Sequence, residues 1–217
     1  MADYIHRLIR EGEHQRLDFK FEVSDYYKIA RSLAAFANSE GGRLLVGVRD
    51  NGSIAGVRSE EEVFMVEGAA GLYCRPAIPF RYEEWVVEGR RVVEFIIAPS
   101  PAKPHYALDQ DGRWLVWVRR HDQILLANAI LLRVWEKRQG RKQVTIRYTE
   151  AERILLQHLE KHRRISLPGF QRKAGISRVR AGRILVDFIL LGMVRQVITE
   201  KGTYYILGTE SGDGNGL

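Results

Sequence analysis

Arg178, Arg180 and Arg183 lie in the first half of a single apolar-periodic segment, directly after a turn of Gly175-Ile176-Ser177. A short preceding segment ends in Arg172-Lys173. Arginine at the start of a helix can enter a major groove and offer its planar fork to a guanine edge. Lys201 sits in Glu200-Lys201-Gly202 between two strand-like runs, where a hairpin tip reaches a phosphate. The chemistry these residues imply is contact with a polyanion. The partner expected from them is double-stranded DNA, with contact to another protein as the alternative.

The charge distribution agrees. Of 217 residues, 34 are Lys or Arg and 27 Asp or Glu, a formal net charge of +7. Met1–Leu132 carries 17 basic and 19 acidic residues, Arg133–Leu217 17 and 8. The basic excess therefore belongs to the last part of the chain, as an electrostatic footprint for nucleic acid would. The alternative is a solvated basic face.

Other chemistries lack their residues. A single cysteine, Cys74, excludes a disulfide framework and any zinc site needing two thiolates. His158 and His162 are four apart on one helix, but no third ligand accompanies them. No GxxxxGK[ST] loop and no Ser-His-Asp signature occur, so no cofactor, no metal and no catalytic residue is expected. Apolar runs are far shorter than the roughly 20 residues that span a bilayer. Met1-Ala2-Asp3 leads into a polar stretch without a signal-peptide core. Hydrophobic residues at 45% suffice for a packed core. The expectation is a soluble cytoplasmic protein with no membrane partner.

The elements that must position these groups are legible from periodicity. Asp3–Arg10 reads as a helix, and Leu17, Phe19 and Phe21 alternate as a strand that puts Lys20 on the opposite face. There Lys20 is either a phosphate contact or an exposed strand lysine. Ser24 caps a helix reaching Asn38, and Gly41-Gly42 lead into a buried strand, Arg43–Arg49. Asp50-Asn51-Gly52 turns it into Ile54–Val57. Ser59 and Glu62 form a capping box for a helix to Tyr73. Phe80–Val87 and Arg91–Ala98 form a hairpin, Trp114–Arg119 a strand, and Ile124–Lys137 a helix. After a linker the pattern is helix, helix, turn, helix, hairpin, the order of a winged helix-turn-helix. Thr149 with Glu152, Ser166 and Ser177 start its helices. Val186, Ile189 and Leu190 make the third helix apolar beyond one face, which predicts burial against a neighbouring element or a homodimer surface. The predicted organisation is 1–138, a linker 139–147, a second domain 148–208, and a Gly-rich frayed tail 209–217.

Glu13…Leu17-Asp18-Phe19-Lys20, then Ala35-Phe36-Ala37-Asn38-Ser39-Glu40-Gly41-Gly42, Leu44-Leu45-Val46-Gly47-Val48, Asn51-Gly52 and Ile54-Ala55-Gly56-Val57 resemble the Schlafen-type AlbA-like DNA-binding domain. Trp117-Val118-Arg119 resembles that family's closing strand with its arginine, and the resemblance covers roughly Leu8–Leu132. It implies an α+β fold, an AlbA-like N-terminal domain of mixed sheet and helices, here followed by the winged helix-turn-helix. Bacterial members with an appended winged helix are typically described as transcriptional regulators, which is the function the resemblance implies. Some Schlafen proteins cut RNA with three carboxylates. Glu13 matches the first, Asp18 replaces the usual Glu, and Arg49 falls where an acid is common, with Asp50 beside it. The resemblance thus implies a degraded acidic trio, an Arg49 that contacts phosphate, and no nuclease activity. The alternatives are a metal-dependent nuclease using Glu13 and Asp18, and a non-catalytic protein-interaction module.

Overall fold

The computed structural model describes residues 2–140 and 148–208. The chain divides into two compact units, Met1–Leu126 and Ala127–Leu217. The predicted tail 209–217, and the predicted linker beyond Gly140, lie outside the described residues.

The first unit is α+β. Its central sheet runs in the order β1 (Leu17–Lys20), β2 (Gly42–Val46), β5 (Arg90–Ile97), β4 (Phe80–Val87). β1 and β2 are parallel and the other pairs antiparallel. Alternation along β2 decides which side each residue serves. Leu44 and Val46 face helix α2 (Tyr26–Asn38), while Leu45 joins Ile5 and Leu8 of α1 (Ala2–Glu11) on the other face. Ala30, Ala34, Ala35 and Ala37 are at most 1% exposed, and residues 32–38 are all buried, so the C-terminal half of α2 is enclosed nearly all round. Small side chains let it lie between the first sheet and a second, antiparallel sheet. That sheet has the order β3 (Cys74–Arg75), β6 (Tyr106–Leu108), β7 (Trp114–Arg120), β8 (Gln123–Leu126). Helix α3 (Glu61–Leu72) adds Val63, Val66 and Ala69 to the same core.

Several local expectations shift. Asp25 rather than Ser24 caps α2, its carboxylate accepting from the backbone N–H groups of Tyr27 and Lys28. Ser59 and Glu62 make no capping box. Glu62 is drawn inward, where it accepts from Val23 N–H and Arg58 N–H, and α3 starts one residue later, after Glu60. Ile54–Val57 forms no strand beside β2. A single bridge joins Val48 to Ile54, and β5 occupies β2's free edge instead.

The second unit begins with α4 (Ala129–Gln139) and continues through α5 (Glu150–His162), α6 (Leu167–Ala174) and α7 (Arg178–Leu190) to the hairpin β9 (Val194–Thr199), β10 (Gly202–Leu207). The predicted helix Ile124–Lys137 is really two elements. Residues to Leu126 complete β8 against β7, and Asn128 then caps α4 through bonds from Ile130 and Leu131 N–H. The unit boundary therefore falls before α4, not at 138. Ile130 and Val134 of α4 are buried in the second core with Leu155, Leu159, Phe170, Leu185 and Phe188. This also accounts for the wide apolar face of α7. Val186 and Ile189 are covered within this unit, and Gly182 lets α4 come close. A Cβ there would stand 3.2 Å from Ile130 Cδ1. The predicted caps hold, with Thr149 and Glu152 in a capping box, Ser166 bonded to Gly169 N–H and Ser177 to Arg180 N–H.

Candidate functional site

Two regions gather the residues singled out by sequence, one in each unit.

In the first unit a cleft of about 380 Å³ opens between β1, the N-terminal half of α2 and the turns after β2 and β7. Carboxylates of Glu13, Asp18, Glu22, Asp25, Asp50 and Asp122 line it, together with Lys20, Lys28 and Arg31. Asp18 is only 4% exposed and is held by two cations. Arg119 Nη2 stands 3.1 Å from its Oδ1, and Lys20 Nζ 2.7 Å from its Oδ2. The Arg119 side chain is wholly buried, stacked over Phe36, and also donates to the carbonyls of His14 and Leu17. Glu13 accepts from Phe19 N–H at 2.8 Å. Burial raises the Glu13 pKa and the nearby Asp18 charge adds to the rise, opposed by the Phe19 bond.

From sequence, Arg49 stands in an acid's place. In the structure Arg49 turns away and lies 4.8 Å over the Phe21 ring, with Nη1 3.5 Å from Ser53 Oγ, and its neighbour Asp50 lines the cleft. The cause is a bulge. Lys20 O accepts from both Gly47 and Val48 N–H, and Gly47 takes φ 93°, so strand alternation slips before Arg49. Among the described residues no group of three His, Cys, Asp or Glu side chains is spaced to hold a metal ion. Lys20, read as a phosphate contact, spends its ammonium on Asp18 and on the Phe19 carbonyl. Lys28 and Arg31 went unnoticed in the sequence. Their spacing of three on α2, flanking the buried Ile29 and Ala30, is the signal that marks them as one exposed ridge.

A pH effect follows. A carboxyl with a raised folded-state pKa contributes stability that is fully present at low pH and is lost as pH rises through that pKa. Glu13→Gln keeps an acceptor for Phe19 N–H and removes the charge. The variant is expected to melt higher than the natural chain at pH 7–8, with the gap closing toward pH 4. A gap independent of pH between 4 and 8 would contradict the assignment.

In the second unit, α6 ends in exposed Arg172 and Lys173, and the turn to α7 leaves Arg178, Arg180 and Arg183 exposed. Lys201 is exposed at the tip between β9 and β10. Among the described residues of this unit, Lys137 pairs with Asp187 and Arg153 with Glu150, and none of the six cations above has a carboxylate partner. Arg180 donates to the Thr149 hydroxyl at 3.2 Å. In the first unit Arg16, Arg43, Arg91, Arg113 and Arg119 meet carboxylates, whereas Arg31, Arg49, Arg58 and Arg75 lie over aromatic rings.

The first unit is thus an α+β unit with α2 held between two sheets and an Asn-Ser-Glu-Gly-Gly exit from that helix. The Schlafen, AlbA_2 family matches residues 13–128, more than half of the chain, and the chain belongs to that family. Among solved structures, the DIP2311 protein from Corynebacterium diphtheriae is similar over 89% of this chain and 34% of its own, with 20% identity and a TM-score of 0.47. The N-terminal domain of a RecG-related protein from Nitrosomonas europaea is similar over 69% of this chain and 95% of that domain, with 15% identity and a TM-score of 0.39. The chain thus spans about a third of the length of the Corynebacterium protein. No curated protein matches it. Among the described residues no helix is long and apolar enough to cross a membrane.

Proposed function

We propose that the chain binds double-stranded DNA without cutting it and serves as a transcriptional regulator in the cytoplasm, with the second unit acting as a winged helix-turn-helix. The observation that carries this reading is the set of exposed cations without carboxylate partners on α6, α7 and the β9–β10 tip. Cations that the fold does not neutralise remain available to phosphates. In this reading α7 enters the major groove, Arg180 and Arg183 read base edges, and Arg172, Lys173 and Lys201 meet the backbone.

Titration of the whole chain against duplex DNA at several salt concentrations, with and without magnesium or manganese, tests it. If Arg172, Lys173 and Lys201 each neutralise one phosphate, the log–log salt slope is about −3. Arg180→Ala or Arg183→Ala weakens a specific site by about 1–3 kcal/mol more than random DNA. Lys201→Ala weakens both equally. A flat salt response overturns the proposal and favours a protein-interaction module.

A second reading, a metal-dependent nuclease, has one observation in its favour: Asp50, not Arg49, shares the cleft with Glu13 and Asp18. Against it stand the two cations already bound to Asp18 and the raised pKa of Glu13. Cleavage of structured RNA that needs the divalent ion and disappears in Glu13→Gln decides for the nuclease.

A further inference from the structure

The second unit holds a cleft that DNA contact does not account for. It has a volume of about 400 Å³ and lies between the start of α4, the first turn of α6, the first half of α7 and strand β10. A volume in this range accepts one small organic molecule. Its lining includes the apolar residues Ile130, Leu167 and Val179, together with Tyr205, and two arginines, Arg133 and Arg178. No carboxylate lines it, and neither arginine has a carboxylate partner among the described residues. Its shape is fixed by packing. Ile130 is 5% and Tyr205 1% exposed, and Asn128 Nδ2 donates to Thr203 Oγ1 at 2.9 Å, joining α4 to the hairpin across one side. Gly182 leaves space where a side chain would press on Ile130 and approach Arg133 Nη1 within 3.6 Å.

Three helices begin at this cleft, and their first turns add positive potential. Asn128, Ser166 and Ser177 already occupy N–H groups of those turns, so the guanidiniums carry the recognition. A guanidinium binds a carboxylate through two parallel hydrogen bonds, which suits an acid group on a flat or aliphatic body. We propose that this cleft binds a small carboxylic acid with an apolar body, the carboxylate held by Arg133 and Arg178 and the body laid on Ile130, Leu167 and Tyr205. Arg178 also opens α7, so the acid and duplex DNA compete for it, and binding of the acid lowers DNA affinity. That coupling rests on the DNA-binding reading, whereas the site itself does not.

The test is calorimetric titration of the whole chain with benzoate and 2-naphthoate, each beside its neutral amide, and with sulfate as a plain anion. The acids are expected to bind at one site, with the amides and sulfate about tenfold weaker or more, the loss that follows from one charge-assisted pair. Arg133→Ala should lower acid affinity about tenfold, and Arg133→Lys by less, because the ammonium keeps the charge and loses the fork. Thermal melts of both variants confirm that they are folded. Equal binding of acid and amide, no saturable binding of either acid, or no effect of Arg133→Ala overturns the site. In a separate arm, 2-naphthoate is expected to weaken duplex DNA binding by the natural chain and not by Arg133→Ala. If calorimetry succeeds and DNA affinity does not respond, the site stands and the coupling falls. If the chain binds no DNA, the calorimetric result still decides the site.

Discussion

Arg119→Ala is expected to destabilise the first unit by about 3–5 kcal/mol, the usual cost of removing one partner from a buried ion pair. The Arg119 side chain is wholly buried and Asp18 nearly so. Truncation strips Asp18 Oδ1 of its guanidinium and takes the second donor from the carbonyls of His14 and Leu17, which keep only the backbone bonds these two residues exchange. It also empties the space beneath Phe36. Lys20 remains on Asp18 Oδ2, so part of the charge stays compensated. Two further variants separate charge from packing. Arg119→Lys restores a cation but cannot span three acceptors on two sides, so it recovers little. Asp18→Asn placed on Arg119→Ala removes the orphaned charge and recovers part of the loss. Urea unfolding followed by circular dichroism measures all three. A loss below about 1 kcal/mol for Arg119→Ala would show that the pair is worth no more than a surface salt bridge.

The second large effect is expected at Asn38. This side chain lies at the end of α2 and is wholly buried. Its amide donates to the carbonyls of His105 and Trp117, and its oxygen accepts His105 N–H. Asn38 thereby ties α2 to β7 and to the segment entering β6. Ser39 continues the attachment, accepting Arg119 N–H at 2.7 Å. Asn38→Leu keeps the number and branching of side-chain heavy atoms but makes no hydrogen bonds, and each buried backbone group it orphans costs about 1–3 kcal/mol. The expected result is a marked drop in melting temperature, with much faster amide exchange at His105. His105 is itself pinned, Nδ1 to the Pro76 carbonyl and Nε2 to Ser100 Oγ. Retained exchange protection at His105 would show that another group takes over the bond.

These two residues explain why the Asn-Ser-Glu-Gly-Gly signature is legible as a fold and opaque as chemistry. From sequence, Asn38 is the residue at which a helix ends. In the structure it is helical, and its role is set by partners 67 and 79 positions away. Local pattern carries no information about such distant bonds. Arg119 is comparable. Its family resemblance marks it, but only the approach of β7 to β1 reveals that it neutralises Asp18.

What the amino-acid order determined by itself is whatever depends on neighbours within a few positions. The caps at Thr149, Ser166 and Ser177, the hairpin of β9 and β10, the hairpin of β4 and β5, and the α+β character all follow from side-chain period and turn chemistry. The segregation of positive charge toward the C-terminal part is likewise a property of composition. The tertiary structure alone decided three matters. A bulge at Gly47 put Asp50, and not Arg49, on the acidic cleft, because one extra residue in a strand reverses which side chain faces inward. The boundary moved ahead of α4, because Ile130 and Val134 bury their surface against α7 and not in the first unit's core. Finally, Arg133 and Arg178, 45 positions apart in the chain, line one cleft because Gly182 allows two helices to pack at close range.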